Sequence, residues 1–277
     1  MQQPDEAIAR AAALLHEADG LLVAAGAGMG VDSGLPDFRG AEGFWRAYPP
    51  LRRLGLAFHE MACPDTFDSD ARLAWGFYGH RLALYRATAP HPGFAILRAL
   101  GARMAHGSFV FTSNVDGQFQ RAGFDPGGVV ECHGSIHHLQ CTRPCCNVVW
   151  PADALVPEVD MASCRLVSAL PHCPRCGALA RPNILMFNDG AWLPERSDAQ
   201  YARLARWRGG VRRPAVIEIG AGTDIPSVRR MGESQGAPLI RINPREAAVR
   251  DGVGLEMNAL PALRLLAAAL KIDTNQS

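Results

Sequence analysis

A short apolar run, Leu21-Leu22-Val23-Ala24-Ala25, breaks directly into three closely spaced glycines, Gly26, Gly28 and Gly30. The run is too short for an ordinary helix and long enough for a buried strand. A strand that empties into a glycine-rich turn fits an open α/β sheet. There, glycine lets the chain turn sharply and brings backbone N–H groups close to a phosphate. The general dinucleotide fingerprint, G-x-G-x-x-G with an acid about 20 residues on, is not met. The third glycine comes early, and the loop runs on through Ser33-Gly34-Leu35-Pro36-Asp37-Phe38-Arg39-Gly40. That polar segment reads as part of a site.

Further strands are expected at about 109–112, 215–219 and 238–242, alternating with helices as in a parallel sheet. Ile8, Ala12 and Leu15 place a helix over 5–18, and Trp75, Tyr78, Leu82 and Tyr85 another over about 70–88. A third begins at Phe94 and ends near Gly101. Asn258 can cap a last helix that carries Pro261 in its first turn. Two stretches interrupt the alternation. Residues 41–90 are aromatic-rich and helical, with Pro49-Pro50 marking a loop, and residues 139–180 hold cysteine pairs and little periodicity.

With 20% charged residues, a net charge of +1 and no block of like charge, nothing favours direct nucleic-acid binding. The start Met1-Gln2-Gln3-Pro4-Asp5-Glu6 does not read as a signal peptide. No apolar stretch approaches the roughly 20 residues of a membrane span. Seven of the eight cysteines fall between Cys132 and Cys176, a clustering that suits metal binding in a reducing compartment, so a cytoplasmic location is expected. Cys141 and Cys145 have three residues between them, Cys173 and Cys176 have two. Four thiolates satisfy tetrahedral zinc, and four sulfurs leave no open position for water, so the ion would be structural. Cys146 is sterically possible in place of Cys145, which is preferred because it directly follows the turn-forming Pro144.

Five motifs, taken in order, go beyond fold class. Ala24 to Gly40 is the first. Thr112-Ser113-Asn114-Val115-Asp116, Glu131-Cys132-His133-Gly134-Ser135, Gly222-Thr223-Asp224 and Ile242-Asn243 follow, the last two each behind an apolar strand. Together they resemble the sirtuins, the NAD-dependent protein deacylases, over roughly residues 20 to 260. The resemblance implies a discontinuous Rossmann-like NAD-binding domain of residues 1–40, 91–138 and 181–277, and a small inserted helical and zinc-binding domain of residues 41–90 and 139–180.

It also implies roles. Nicotinamide leaves when the acyl-lysine amide oxygen attacks its ribose, and a base then takes a proton from a ribose hydroxyl. That is a task for histidine. His133 matches the base. Asn114 and Asp116 match the nicotinamide-ribose region, beside Ser113. Gly26, Ala27, Gly28, Asp37, Phe38 and Arg39 match the phosphate and ribose loop. Gly222, Thr223, Asp224 and Asn243 match the adenosine half. Where the family usually has serine this chain has Asp224, a carboxylate that would repel a 2′-phosphate. Leu185-Met186-Phe187-Asn188-Asp189 stands where relatives pair their backbone with a peptide.

Tyr78 and Arg81, three apart on the expected helix, match the Tyr-x-x-Arg pair of the sirtuin subgroup that removes succinyl and malonyl groups. A guanidinium beside a phenol suits an acyl chain ending in a carboxylate. The same spacing also fits a core tyrosine next to a solvated arginine. Cys132, beside His133, reads as a small core residue unless a nearby positive charge makes it a thiolate. The leading expectation is an NAD-dependent lysine deacylase acting on an acyl-lysine protein or peptide. The alternatives are an NAD glycohydrolase or ADP-ribosyltransferase on the same fold, and a non-catalytic NAD sensor.

Overall fold

The computed structural model describes residues 4–36 and 40–273. The chain runs through α1 (Pro4–Glu17), β1 (Gly20–Ala25) and a 3-10 turn (Ala27–Ser33). Four short helices follow, α2 (Gly40–Ala47), α3 (Pro49–Arg53), α4 (Phe58–Met61) and α5 (Asp65–Ser69), then the longer α6 (Ala71–Ala87) and α7 (Gly93–Ala102). Next come β2 (Ser108–Thr112), α8 (Gln118–Arg121), β3 (Val129–Glu131) and β4 (Gly134–Cys141). The short strands β5 (Trp150–Pro151), β6 (Val159–Asp160) and β7 (Arg165–Leu166) lead to β8 (Ala180–Ile184). The last part holds α9 (Glu195–Gly210), β9 (Pro214–Ile219), α10 (Ser227–Glu233), β10 (Leu239–Ile242), β11 (Gly252–Leu255) and α11 (Ala259–Ala269).

Six strands form one parallel sheet in the order β11-β10-β9-β1-β2-β3. The chain winds outward from β1 in one direction, returns, and winds outward from β9 in the other. That reversal between β1 and β9 is where doubly wound folds bind their ligands. Every residue of β1 is buried, as expected of a strand covered on both faces. Its side chains alternate between two cores. Leu21, Val23 and Ala25 join α1, α7 and α11, while Leu22 and Ala24 join Leu204 of α9 and Val228 of α10.

A third core gathers Phe44, Tyr48, Phe67, Trp75, Phe77 and Tyr78 against residues of β4, β7 and β8. Its centre is α6, started by Asp70, whose carboxylate accepts from the Leu73 amide at 3.1 Å. Trp75 is fully buried and donates through Nε1 to the Ala180 carbonyl at 2.9 Å, tying α6 to β8. Three local expectations are corrected. Pro49-Pro50 opens α3 rather than forming a loop, because proline's fixed φ suits a first helical turn. Asn258 sits at the N-cap of α11 without a side-chain bond; the Asp32 carboxylate accepts from the Leu260 amide at 2.7 Å instead. The cysteine-bearing stretch is not irregular throughout, since β4 and β8 pair antiparallel along its two sides, with β5 beyond β4.

Candidate functional site

At the reversal point the loops after β1 and β9 come into backbone contact. The Gly26 amide donates to the Ile219 carbonyl at 2.9 Å and the Gly28 amide to the Gly220 carbonyl at 3.1 Å. A Cβ on Gly28 would lie 2.6 Å from the Gly220 Cα, and one on Gly26 would lie 2.8 Å from the Gly220 oxygen. These two amides are therefore taken by protein carbonyls. What the glycines supply is the closeness of two loops. Gly28 also lines a cavity of about 230 Å³ with Ile219, Gly220, Ile242, Arg245 and Asn258.

The segment after β2 leaves the strand at once, because the Thr112 hydroxyl turns the chain. It donates to the Ala25 carbonyl at 2.9 Å and accepts from the Asn114 amide at 3.0 Å. Asn114 and Asp116 thus follow a turn rather than an extended strand. Asn114 Nδ2 donates to the Gly26 carbonyl at 3.0 Å, linking this segment to the glycine loop, and the Ser113 amide donates to the Ala25 carbonyl at 3.2 Å. Asp116 is buried, and one carboxylate oxygen accepts from the Gln118 amide at 2.9 Å. Burial pushes its pKa up to about 6.

His133 follows β3 and is partly buried, with Nε2 3.4 Å from the Ser227 hydroxyl. Burial lowers its pKa, which keeps the imidazole neutral and able to accept a proton. Gly134 has φ +77°, and a Cβ there would lie 2.0 Å from the Asn183 carbonyl oxygen, so only glycine fits beside the histidine. Cys132 is buried in the sheet core, and burial raises its pKa to about 12, which makes it a core residue.

On the other side of the reversal, Asn243 is fully buried. Its Nδ2 donates to the Ala221 carbonyl at 2.9 Å, and its Oδ1 accepts from the Arg245 and Glu246 amides, both at 3.1 Å. It knits the β10 loop to the β9 loop. Thr223 donates to Glu246 Oε1 at 3.1 Å, and Arg229 Nη2 meets Glu246 Oε2 at 2.8 Å. Gly222 and the exposed Asp224 lie on the same loop. Sequence reasoning missed Glu246, although it stands three residues after Asn243. Asp37, Phe38 and Arg39 lie outside the described residues.

The sulfurs of Cys141, Cys145, Cys173 and Cys176 lie within 4.8 Å of one another. Cys141 Sγ is 3.6 Å from Cys176 Sγ, and Cys145 Sγ is 3.7 Å from Cys173 Sγ. A zinc tetrahedron with Zn–S bonds near 2.3 Å has edges of about 3.8 Å, so the donor set fits a structural zinc. Cys146 is outside the four-sulfur group.

A family model for the Sir2 family matches residues 26–206. The chain belongs to the Sir2 family. It is 32% identical over 244 residues to NAD-dependent protein deacylase 2 of Pyrobaculum aerophilum, covering 85% of this chain and 84% of that one. It is also 32% identical over 238 residues to an NAD-dependent protein deacylase of Thermus thermophilus, with 83% and 81% covered. A solved complex of a Sir2 homologue with NAD superposes with a TM-score of 0.71 at 25% identity, covering 94% and 93% of the two chains. Among the described residues no helix is long and apolar enough to cross a membrane.

In this Sir2-family chain the Tyr78–Arg81 pair is not a solvated one. Arg81 is 8% exposed and Tyr78 is buried. The guanidinium carbon lies 5.2, 5.9 and 5.4 Å from the ring centroids of Phe77, Tyr78 and Tyr85. Its Nε and Nη2 donate to the Tyr85 hydroxyl at 3.0 and 2.8 Å. Tyr85 was read from the sequence only as part of a core stripe. The loop after β8 is fastened to the histidine itself, the Leu185 amide donating to the His133 carbonyl at 2.9 Å. Arg181 grips Asp189 with two hydrogen bonds of 2.8 and 2.7 Å, and Leu185 and Phe187 keep 39% of their surface exposed at the loop's open side.

Proposed function

We propose that this protein removes acyl groups from lysine side chains in a reaction that consumes NAD. The observation that carries this reading is the bond between Leu185 and His133, which joins a solvent-exposed loop to a neutral histidine at the reversal crevice. An acyl-peptide lying along residues 185–189 by strand addition would bring its acyl-lysine to that histidine. The relatives described above are named NAD-dependent protein deacylases.

NAD, when bound, supplies the ribose carbon from which nicotinamide leaves. In this reading the loops bearing Gly26, Ala27, Gly28 and Asp37, Phe38 and Arg39 hold the phosphates and the near ribose. Gly222, Thr223, Asp224 and Asn243 hold the adenosine half around the cavity at Gly28 and Ile242. Asn114 and Asp116, with Ser113, border the nicotinamide ribose, and His133 accepts the ribose hydroxyl proton. Residues 41–90 and 139–180 act as a small domain over the sheet domain of 1–40, 91–138 and 181–277. The zinc holds that small domain and takes no part in the chemistry.

The acyl group is proposed to end in a carboxylate. Arg81 supports this, because its guanidinium, which donates to the Tyr85 hydroxyl among three aromatic rings, is a group that with a phenol beside it can form charge-assisted hydrogen bonds to an acidic succinyl or malonyl chain. Mass spectrometry of products over a panel of acyl-peptides tests both parts. Nicotinamide with O-acyl-ADP-ribose is expected, succinyl-lysine outcompeting acetyl-lysine, and Arg81→Met should reverse that order. Free ADP-ribose or ADP-ribosylated protein would instead indicate glycohydrolase or transferase activity. No turnover at all would indicate an NAD sensor.

A further inference from the structure

Helix α9 buries an unusual face. Its buried residues are Ser197, Gln200 and Leu204, two of them polar. Both polar ones grip a single residue of the sheet. Ser197 Oγ donates to the Glu131 carbonyl at 3.0 Å, and the Glu131 amide donates to Gln200 Oε1 at 3.0 Å. Arg196, next to Ser197, pairs through Nη2 with Glu131 Oε2. One helix end thus holds the backbone of Glu131 on both sides and its side chain as well.

Glu131 is the last residue of β3, in register with Thr112, and stands two residues before His133. Its side chain is 1% exposed. Glu131 Oε1 and Arg196 Nη1 are buried without a protein partner among the described residues. A buried ion pair that leaves such atoms unsatisfied is poor value as a stabiliser, since the desolvation cost is not offset. Its position points elsewhere. We propose that Glu131, clamped by Arg196, Ser197 and Gln200, is a positioning residue of the site that acts through Asp116 and His133 and does not touch substrate.

Two consequences follow from where it lies. The clamp fixes the end of β3, and so the place at which His133 leaves the sheet. The Glu131 charge also acts on Asp116, whose segment is tied to the chain after β3 by the Ile136 amide donating to the Val115 carbonyl at 3.0 Å. The charged and titratable groups facing Asp116 are Glu131 from β3, Arg81 and Tyr85 from α6, and His137 of β4, whose Nε2 lies 2.9 Å from the Asp116 carbonyl. Burial is the main cause of the raised Asp116 pKa, the Glu131 charge raises it further, and Arg81 opposes both. Neutralising Glu131 therefore lowers the Asp116 pKa.

The inference rests on Asp116 belonging to an NAD-dependent deacylase site, so the test reads the carboxyl and the activity separately. Asp116 is titrated by carboxyl carbon NMR in the full-length wild type, in Glu131→Gln and in Glu131→Asp, the resonance being assigned with Asp116→Asn. The acidic limb of kcat/KM is then measured on an acyl-peptide. Glu131→Gln should move both to lower pH. Glu131→Asp should keep the wild-type value. A merely structural clamp would lower activity in both variants without moving the titration. That result, or Glu131→Gln moving Asp116 upward, overturns the proposal. If Asp116 moves as expected but the wild type deacylates no acyl-peptide, the deacylase reading fails and the tuning stands. If the wild type deacylates and Asp116 stays put, the tuning fails alone.

Discussion

The six-stranded sheet and the smaller core around α6 both bury large apolar side chains, yet they are fastened differently. In the sheet, β1 sends alternate residues into two apolar layers, and every neighbouring pair of strands is parallel and in register. Local pairing and burial hold it, and among the described residues no group of metal-ligating side chains lies inside it. The smaller core packs α6 and the short helices before it against strands of two to eight residues, and long-range bonds such as Trp75 to Ala180 close it. Cys141, at the end of β4, is one of four sulfurs within 4.8 Å of one another, a set that fits a structural zinc. The sheet can be expected to survive injuries that the smaller core cannot.

Metal removal gives the largest effect. Cys173→Ser, or chelation of the wild type, should abolish metal binding and loosen residues 139–180, because a structural site's binding energy is part of its folding energy. Deacylation should be lost with it, while the β1 and β9 amides keep their hydrogen-exchange protection. Equal loss of protection in β1 and β9 would show that the two regions form one cooperative unit, and the contrast drawn above would fail. Metal analysis finding no zinc in protein purified without chelator would remove the thiolate site altogether.

His133→Ala comes next. Loss of a general base costs about 10²–10⁴ in rate. The substitution removes a side chain at the crevice without disturbing either core, so calorimetric NAD binding and the melting temperature should stay close to wild type. A wild-type rate in this variant would take the base away from His133.

The smallest effect concerns the sheet's own crevice. Gly28→Ala places a Cβ 2.6 Å from the Gly220 Cα, a backbone atom that cannot turn aside. The loops must part, at a cost of about 1–3 kcal/mol. Gly209→Ala, in α9, is the control, since nothing lies within 4 Å of its Cβ. Thermal melts and NAD titrations should show Gly28→Ala impaired in both and Gly209→Ala near wild type. Equal effects would mean that the crevice tolerates spreading, and that its rigidity is not what distinguishes it from the smaller core.

Much of this was legible before any coordinates. Short apolar runs ending in glycine identify parallel strands, because a strand buried on both faces has no polar alternation to hide it. Cysteine spacing was equally direct: three of the four sulfurs follow from paired short intervals, and the structure selects Cys145 over its neighbour. The edge strand β11 and the helix α9 were not legible. The α9 helix lacks an apolar stripe because two of its three buried positions are Ser197 and Gln200, and their partner is the backbone of a residue far away in sequence. Polar residues buried for such a purpose look like surface in a one-dimensional pattern. The short strands of the smaller core escaped for a related reason, since two-residue pairings carry no period.

By itself, then, the sequence of this Sir2-family chain determined the parallel character of the sheet and three of the four thiolates. Each of these depends on local spacing or on residue chemistry. Only the tertiary structure decided that the Gly26 and Gly28 amides serve the neighbouring loop. It also decided that Asp32 caps the last helix and that Arg81 is caged by rings with its donors on Tyr85. It clamped Glu131 between Ser197 and Gln200. Those facts depend on which distant segments come to lie within hydrogen-bond or Coulomb range, and chain separation conceals that range until the core has closed.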